Sequence, residues 1–318
     1  MRNMTVLGAG IMGHGVAQLF AQAGKNVRIQ ARTEESLDKA RELITNSLKI
    51  MVEKEMLTER DMEQALARIT YTTNLYEALE NADFVLESIP EVLELKLETY
   101  EIIESVVSDK TIISSNTSTF PLKELTQRAK NPERFIITHF FNPPQLVPLV
   151  EIVKVDHTDE NVIQVTHDLM KEIGRSPVVL QKEVPGFIVN RIQVAMLREA
   201  FHLMEMGVAT AEDIDTVMKG SMGFKWAFCG PMESQDLAGL QTTKYMVENL
   251  LPELSDAKEP PAFLAKMVED NQLGIRTGKG FYTYEDNQAA EKIRKRDDDF
   301  LELLKLQNRE KKTLSPAQ

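Results

Sequence analysis

The chain has 318 residues, 42% of them hydrophobic and 27% charged, with a net charge of −12. That length accommodates one large domain and one smaller one, each with its own core. The acidic balance argues against a nucleic-acid partner, which needs a dense basic stripe, and no apolar run approaches the roughly 20 residues of a membrane span.

The N-terminus "MRNMTVLGAG" runs straight into a predicted strand, which leaves no room for a signal peptide. A lone Cys229 cannot form an internal disulfide. Both features set the expectation of a cytoplasmic protein. Residues 4–7 form an apolar run ending in Gly8, residues 11–23 read as a helix closing near Gly24, and "NVRIQ" reads as a second strand. This is the order of a βαβ unit. Helical patterns follow over Glu35–Met51 and Glu59–Ala67, with further strands at 83–89, 111–116, 134–141, 150–155 and 177–181. Pro121 is placed to start a short helix, and a helix from near Thr158 ends at Gly174 as a C′ glycine. Alternation of this kind predicts an α/β fold, a Rossmann-like N-terminal domain with a mostly parallel sheet.

The pattern changes at "EVPGFIVNR", residues 183–191, beyond which only helical periods occur. The stretch from Phe187 to Met206 is apolar almost all round and predicts a helix buried on several sides. Gly207 ends it, and "TAED" at 210–213 reads as a capping box. The expected organisation is a dinucleotide-binding domain over 1–183, an all-α domain over 184–284 and a charged helical tail over 285–318. The tail carries a weak stripe of Phe300, Leu303, Leu304 and Leu306, suited to a surface or intersubunit helix.

Gly8, Gly10 and Gly13 make G-x-G-x-x-G directly after the first strand. Gly8 permits the tight turn, Gly10 lets backbone approach a pyrophosphate and Gly13 lets helix and strand pack closely. The backbone of Ile11 and Met12, at the helix N-terminus, then faces the phosphates. A carboxylate some twenty residues on would bind the ribose 2′-hydroxyl and repel a 2′-phosphate; the chain has Ala31 and then Arg32 and Thr33. Arg32 can pair with a phosphate through two N–H bonds. The cofactor read from this pattern is NAD(P), with NADP favoured; NAD, with Arg32 in solvent or beside Glu34 or Glu35, is the alternative.

Of the five histidines, His139 in "THFFNPP" ends an apolar strand, where an open α/β sheet binds its ligands. His14, His157 and His167 read as solvated, and His202 as packed in the second domain. Histidine suits proton transfer at neutral pH. Glu151 lies in the apolar strand "LVEIVKV", where an unpaired carboxylate is costly. A His139–Glu151 pair is one arrangement that satisfies both residues.

"GAGIMG", "SNTST", "HFFNPP", "LVEIV", "PGFIVNR", "GPMESQDLAGL" and "GKGFYTY" follow one another as in the 3-hydroxyacyl-CoA dehydrogenase family, which residues 1–284 resemble. The resemblance implies an oxidoreductase that moves a hydride between C3 of an (S)-3-hydroxyacyl-CoA and the dinucleotide, and a homodimer formed through the helical domain. It implies His139 as catalytic base, Glu151 as its partner, and Ser118 and Asn190 as hydrogen-bond donors to the substrate. Glu91, Lys96, Asn116 and Asn142 fall to the cofactor side, and no metal is implied. Two departures stand out: Ala31–Arg32, and "GSMGFKWAFCGPMES" at 220–234, which looks more like the branch acting on small free acids, such as L-gulonate or carnitine dehydrogenases. Trp226 and Phe228 there either pack a helix turn or narrow the pocket. Arg41, Lys49 and Lys54 are available to CoA phosphates. The expected substrate is a short-chain 3-hydroxyacyl-CoA such as 3-hydroxybutyryl-CoA, with a small free 3-hydroxy acid as the alternative.

Overall fold

The computed structural model describes residues 1–285 and 288–314, the last seven of these by backbone only. The chain divides into two compact units, Met1–Val189 and the residues from Asn190 onward. In the first unit an eight-stranded sheet runs in the order β3-β2-β1-β4-β5-β6-β7-β8. Its strands are β1 (Asn3–Leu7), β2 (Asn26–Gln30), β3 (Ile69–Thr72), β4 (Phe84–Glu87), β5 (Ile112–Ser115), β6 (Phe135–Phe140), β7 (Leu149–Val153) and β8 (Ser176–Leu180). Its helices are α1 (Ile11–Gln22), α2 (Glu34–Glu53), α3 (Glu59–Ala67), α4 (Leu75–Leu79), α5 (Leu93–Val106), α6 (Leu122–Leu125) and α7 (Glu160–Glu172).

The sheet is the predicted Rossmann-like one, with one reversal. Strands β1 to β6 pair in parallel, β7 is antiparallel to β6, and β8 is parallel to β7. Strands β4, β5 and β6 are buried at every position, as expected of strands covered on both faces. Two core clusters fill these faces, one with Phe20, Phe84 and Phe140, the other with Tyr100, Phe135 and Phe187. Strand β3, which the sequence pattern does not announce, extends the sheet beyond β2.

The second unit is helical: α8 (Val189–Glu205), α9 (Ala211–Gly220), α10 (Met222–Trp226), α11 (Pro231–Ala238), α12 (Leu240–Leu250), α13 (Ala262–Glu269) and α14 (Gln288–Leu314). The box at the start of α9 is formed: Thr210 accepts from the Asp213 amide, and the Asp213 carboxylate accepts from the Thr210 amide. Rings of Phe201, Phe263 and Phe281 pack together inside this unit. Helix α14 lies on its own unit, with Gln307 donating to the Ala227 carbonyl at 2.9 Å and Lys292 over the rings of Tyr282 and Tyr284.

The expectation that the first long helix of this unit is buried on several sides is overturned. No described residue of α8 is buried, and Ile192 and Val194 are 58% and 63% exposed. An apolar helix read from periodicity alone does not say whether its cover comes from the same chain.

Candidate active site

The glycine turn comes first, because β1 delivers it to the sheet edge. Gly8 has φ +102, and a Cβ there would lie 2.3 Å from the Ser88 carbonyl oxygen. A Cβ on Gly13 would lie 1.8 Å from the Gly8 oxygen, so helix α1 can pack on β1 only without one. Gly10 differs, since nothing lies within 4 Å of a Cβ built there. Its φ of −72 suits any residue, so the protein itself does not require the missing side chain. Helix α1 starts at Ile11 with no side-chain cap and no acid in its first turn. Bare N–H groups beside an open glycine cradle fit a dinucleotide pyrophosphate.

At the end of β2, Ala31 is buried, while Arg32 is exposed and forms no ion pair among the described residues. Thr33 is committed elsewhere, as the cap of α2, where it accepts from the Ser36 amide at 3.2 Å. Arg41 is likewise engaged, with Asp38 at 2.7 Å and the Tyr71 ring at 4.5 Å. His14 is not solvated as its sequence position implied. It is buried in α1, its Nδ1 hydrogen-bonds the Gly10 carbonyl at 2.8 Å, and burial pushes its pKa down.

His139 and Glu151 are register partners across the antiparallel β6–β7 ladder. His139 Nδ1 lies 2.9 Å from Glu151 Oε2, with both residues buried. The second carboxylate oxygen, Oε1, accepts from the amides of Ile188 and Val189 at 2.9 and 3.0 Å. Burial alone would raise the Glu151 pKa. The hydrogen bonds from His139 and the two amides outweigh it and hold the carboxyl below its ordinary value. An ionised carboxylate only accepts, so Nδ1 carries the ring hydrogen and Nε2 of the neutral ring is left as acceptor.

A second buried carboxylate, which the sequence reading passed over, organises the neighbouring strands. Glu87 ends β4 and is fully buried. Its Oε1 accepts from Lys96 Nζ at 2.6 Å and the Ile89 amide at 2.8 Å, and its Oε2 from Tyr100 and Ser115 at 2.5 and 2.7 Å. Burial first, and then Glu87 itself, raise the Tyr100 pKa well above its ordinary value. Lys96 also reaches Glu91 at 3.3 Å. Glu91 in turn accepts from the Ser118 amide at 3.3 Å and the Thr117 hydroxyl at 3.1 Å. Glu91, Lys96 and Ser118 thus belong to one network anchored on Glu87. Asn116 Oδ1 accepts from the Phe140 amide at 2.9 Å, bracing the strand that carries His139.

Asn142 follows β6 and is exposed. The loop beyond it is held by Arg175, which donates to the carbonyls of Pro144 and Val147 at 3.4 and 3.3 Å and whose pKa burial lowers to about 10. Gly15 of α1 packs against the same loop, since a Cβ there would meet Gln145 and Pro144 at 2.5 and 2.6 Å. Asn190 opens the second unit, one residue beyond Val189. Trp226 and Phe228, 39% and 50% exposed, are not packed away inside that unit. Among the described residues no cluster of His, Cys, Asp or Glu could hold a metal ion, and no helix is long and apolar enough to cross a membrane.

The sequence matches the NAD-binding domain of 3-hydroxyacyl-CoA dehydrogenases over residues 3–184 and their C-terminal domain over 186–284. The chain belongs to the 3-hydroxyacyl-CoA dehydrogenase family. It is an NAD-dependent oxidoreductase of that family's type. The human mitochondrial hydroxyacyl-coenzyme A dehydrogenase is 36% identical over 291 residues, covering 89% of this chain and 91% of its own. The crystal structure of (S)-3-hydroxybutyryl-CoA dehydrogenase from Ralstonia eutropha superposes with a TM-score of 0.74 at 36% identity, covering 90% of this chain and all of its own. A third relative, 5-formyl-3-hydroxy-2-methylpyridine 4-carboxylate 5-dehydrogenase of Mesorhizobium japonicum, is 31% identical over 93% of this chain and 96% of its own. A crystal structure of a dehydrogenase of that same activity, described as an NAD+-dependent dismutase, superposes with a TM-score of 0.91 at 29% identity, covering 96% of this chain and 98% of its own.

Proposed function

We propose that the protein interconverts a secondary alcohol and its ketone, with His139 and Glu151 as the acid–base pair and a short-chain (S)-3-hydroxyacyl-CoA, such as 3-hydroxybutyryl-CoA, as substrate. The observation that carries this reading is the bond between Nδ1 and the carboxylate, which leaves Nε2 as a base at the ligand edge of the sheet. Nε2 takes the hydroxyl proton, and Glu151 balances the imidazolium that forms. In reverse, the imidazolium protonates the carbonyl oxygen as it gains charge. Ser118, tethered to Glu91, and Asn190 are proposed to hydrogen-bond that oxygen. A nicotinamide dinucleotide, when bound, supplies the carbon that accepts or returns the hydride. The Gly8–Gly13 turn, with Ile11 and Met12, would hold its pyrophosphate, and Glu91, Lys96, Asn116 and Asn142 its nicotinamide side. The absence of an acid at Ala31 and Arg32, which would repel a 2′-phosphate, supports acceptance of NADP, and Arg32, exposed and without an ion pair among the described residues, is available to it.

A second reading, a small free hydroxy acid in place of an acyl-CoA, is favoured by two observations. The dehydrogenase of a pyridine carboxylate matches nearly the whole chain with the higher TM-score, whereas the 3-hydroxybutyryl-CoA enzyme covers 90% of it. Arg41 is also already paired, which weakens its case as a CoA phosphate ligand.

The apolar residues left exposed on α8, α9, α11 and α12, among them Ile192, Val217, Leu237 and Leu240, support a homodimer formed through the helical unit. The test of the activity is the initial rate of acetoacetyl-CoA reduction with NADH and with NADPH. Rapid reduction supports the CoA substrate, and the better cofactor reads the role of Arg32. No reduction by protein that still binds dinucleotide selects the free-acid reading. Sedimentation of the same preparation tests the dimer.

A further inference from the structure

Phe187 has a backbone that an aromatic residue rarely adopts. Its φ is +52, following Gly186 at +75, so two consecutive residues turn through the left-handed region. The turn is closed by the Phe187 amide donating to the Val184 carbonyl at 3.0 Å. It aims the next two amides, Ile188 and Val189, at Glu151 Oε1. A glycine at 187 would make this turn with less strain, so the backbone alone does not account for the ring.

The ring is accounted for by what it touches. Phe187 is 2% exposed, and its centroid lies 5.4 Å from that of His139 at an angle of 61°. On the same imidazole, Phe141 lies at 4.4 Å and 57°. A histidine held by one hydrogen bond through Nδ1 can still swing about that bond, which would carry Nε2 away from a fixed substrate oxygen. Aromatic rings packed on the imidazole remove this freedom. We infer that Phe187 is a positioning residue, whose ring, held by the left-handed turn, fixes the direction in which His139 presents Nε2. This rests on the assignment of His139 as the base. The same short segment therefore sets both halves of the pair: its ring orients the histidine and its amides hold the carboxylate.

The test compares Phe187→Gly, Phe187→Tyr and His139→Gln in the full-length protein, by kcat and KM for (S)-3-hydroxybutyryl-CoA oxidation, by NAD binding, and by the ¹⁵N signature of the His139 tautomer, which needs no substrate. A misdirected base costs on the order of 10- to 100-fold in rate. Phe187→Gly should lower kcat by that factor with KM and NAD affinity nearly unchanged and with the Nδ1–H tautomer retained, since the ring swings about the bond that sets it, and Phe187→Tyr should restore the rate. Phe187→Gly with a wild-type rate beside an inactive His139→Gln overturns the inference, and so does a lost rate with mixed tautomers, which would place the effect in the bond to Glu151 and not in the direction of the ring. So does equal loss in Phe187→Gly and Phe187→Tyr, which would place the effect in the turn and not the ring. An active His139→Gln instead overturns the assignment of the base itself. If Phe187→Gly does not fold, Phe187→Leu, apolar but without a flat ring, is measured in its place and read the same way.

Discussion

Replacing Glu151 with glutamine changes one atom and reverses the polarity of the contact with His139. The glutamine carbonyl can keep the amides of Ile188 and Val189, now bonded at 2.9 and 3.0 Å. The amide nitrogen then faces Nδ1, which must become an acceptor, so the ring hydrogen moves to Nε2 and the base is lost. For other His–carboxylate pairs a change of this kind costs about 10⁴ in kcat, which corresponds to roughly 5 kcal/mol of barrier. Stability falls less. One charge-assisted bond in a buried site is lost, about 2–3 kcal/mol, or roughly 4–12 °C in Tm for a unit of this size. Stopped-flow turnover, calorimetry and dinucleotide binding on the same samples separate these effects. Glu151→Gln that binds NAD and turns over within about tenfold of the wild type would refute the reasoning from tautomer to base.

The glycine turn offers an internal control. Gly10→Ala should leave Tm unchanged, because its Cβ meets nothing, yet weaken dinucleotide binding. Gly13→Ala should lower Tm sharply, because its Cβ would meet the Gly8 carbonyl oxygen. Equal thermal shifts in the two variants would argue against this division of roles. Glu151 also predicts a pH dependence. Its folded-state pKa is lowered from 4.5, so its stabilisation is complete above that value and lost as pH falls through the lower folded one. The stability difference between wild type and Glu151→Gln should therefore be flat above about pH 5 and shrink under more acidic conditions, as urea titrations across that range would record. Glu87→Gln removes the closer of two carboxylates from Lys96, leaving Glu91 at 3.3 Å, and should cost about 1–3 kcal/mol by urea unfolding, a loss to be compared with that of a surface change such as Glu98→Gln.

Most of the sheet was legible because its central strands each open on a short apolar run, "FVL", "II" and "FII", set between polar, helix-forming stretches. Strand β3 was not, since "ITYT" is four residues long, has only Ile69 buried, and directly follows a helix. The reversal at β7 is invisible to periodicity, which carries no direction. Connection length does carry it: residues 141–148 are too few for the dozen or more that a parallel crossover needs. The reasoning that singled out Glu151, a carboxylate in an apolar strand, applies equally to Glu87 in "DFVLESI" and would have found the Lys96 network. The glycine turn after β1 formed as its pattern predicts, whereas Thr33 was claimed by a local cap, a competition that a phosphate-binding pattern does not encode. The exposure of α8 was hidden because apolar periodicity reports a need for cover and not its source.

The reversal at β7 has a further consequence. In the parallel part of the sheet, residues brought together at the ligand edge come from strands joined by long crossovers. His139 and Glu151 instead sit on consecutive strands joined by eight residues, 141–148, and their pairing is written into the ladder itself. The pairing is therefore carried by one hairpin, whose register can form early at the small entropic cost of closing a short loop, while the 187–189 segment completes the orientation of both side chains only when it folds onto them.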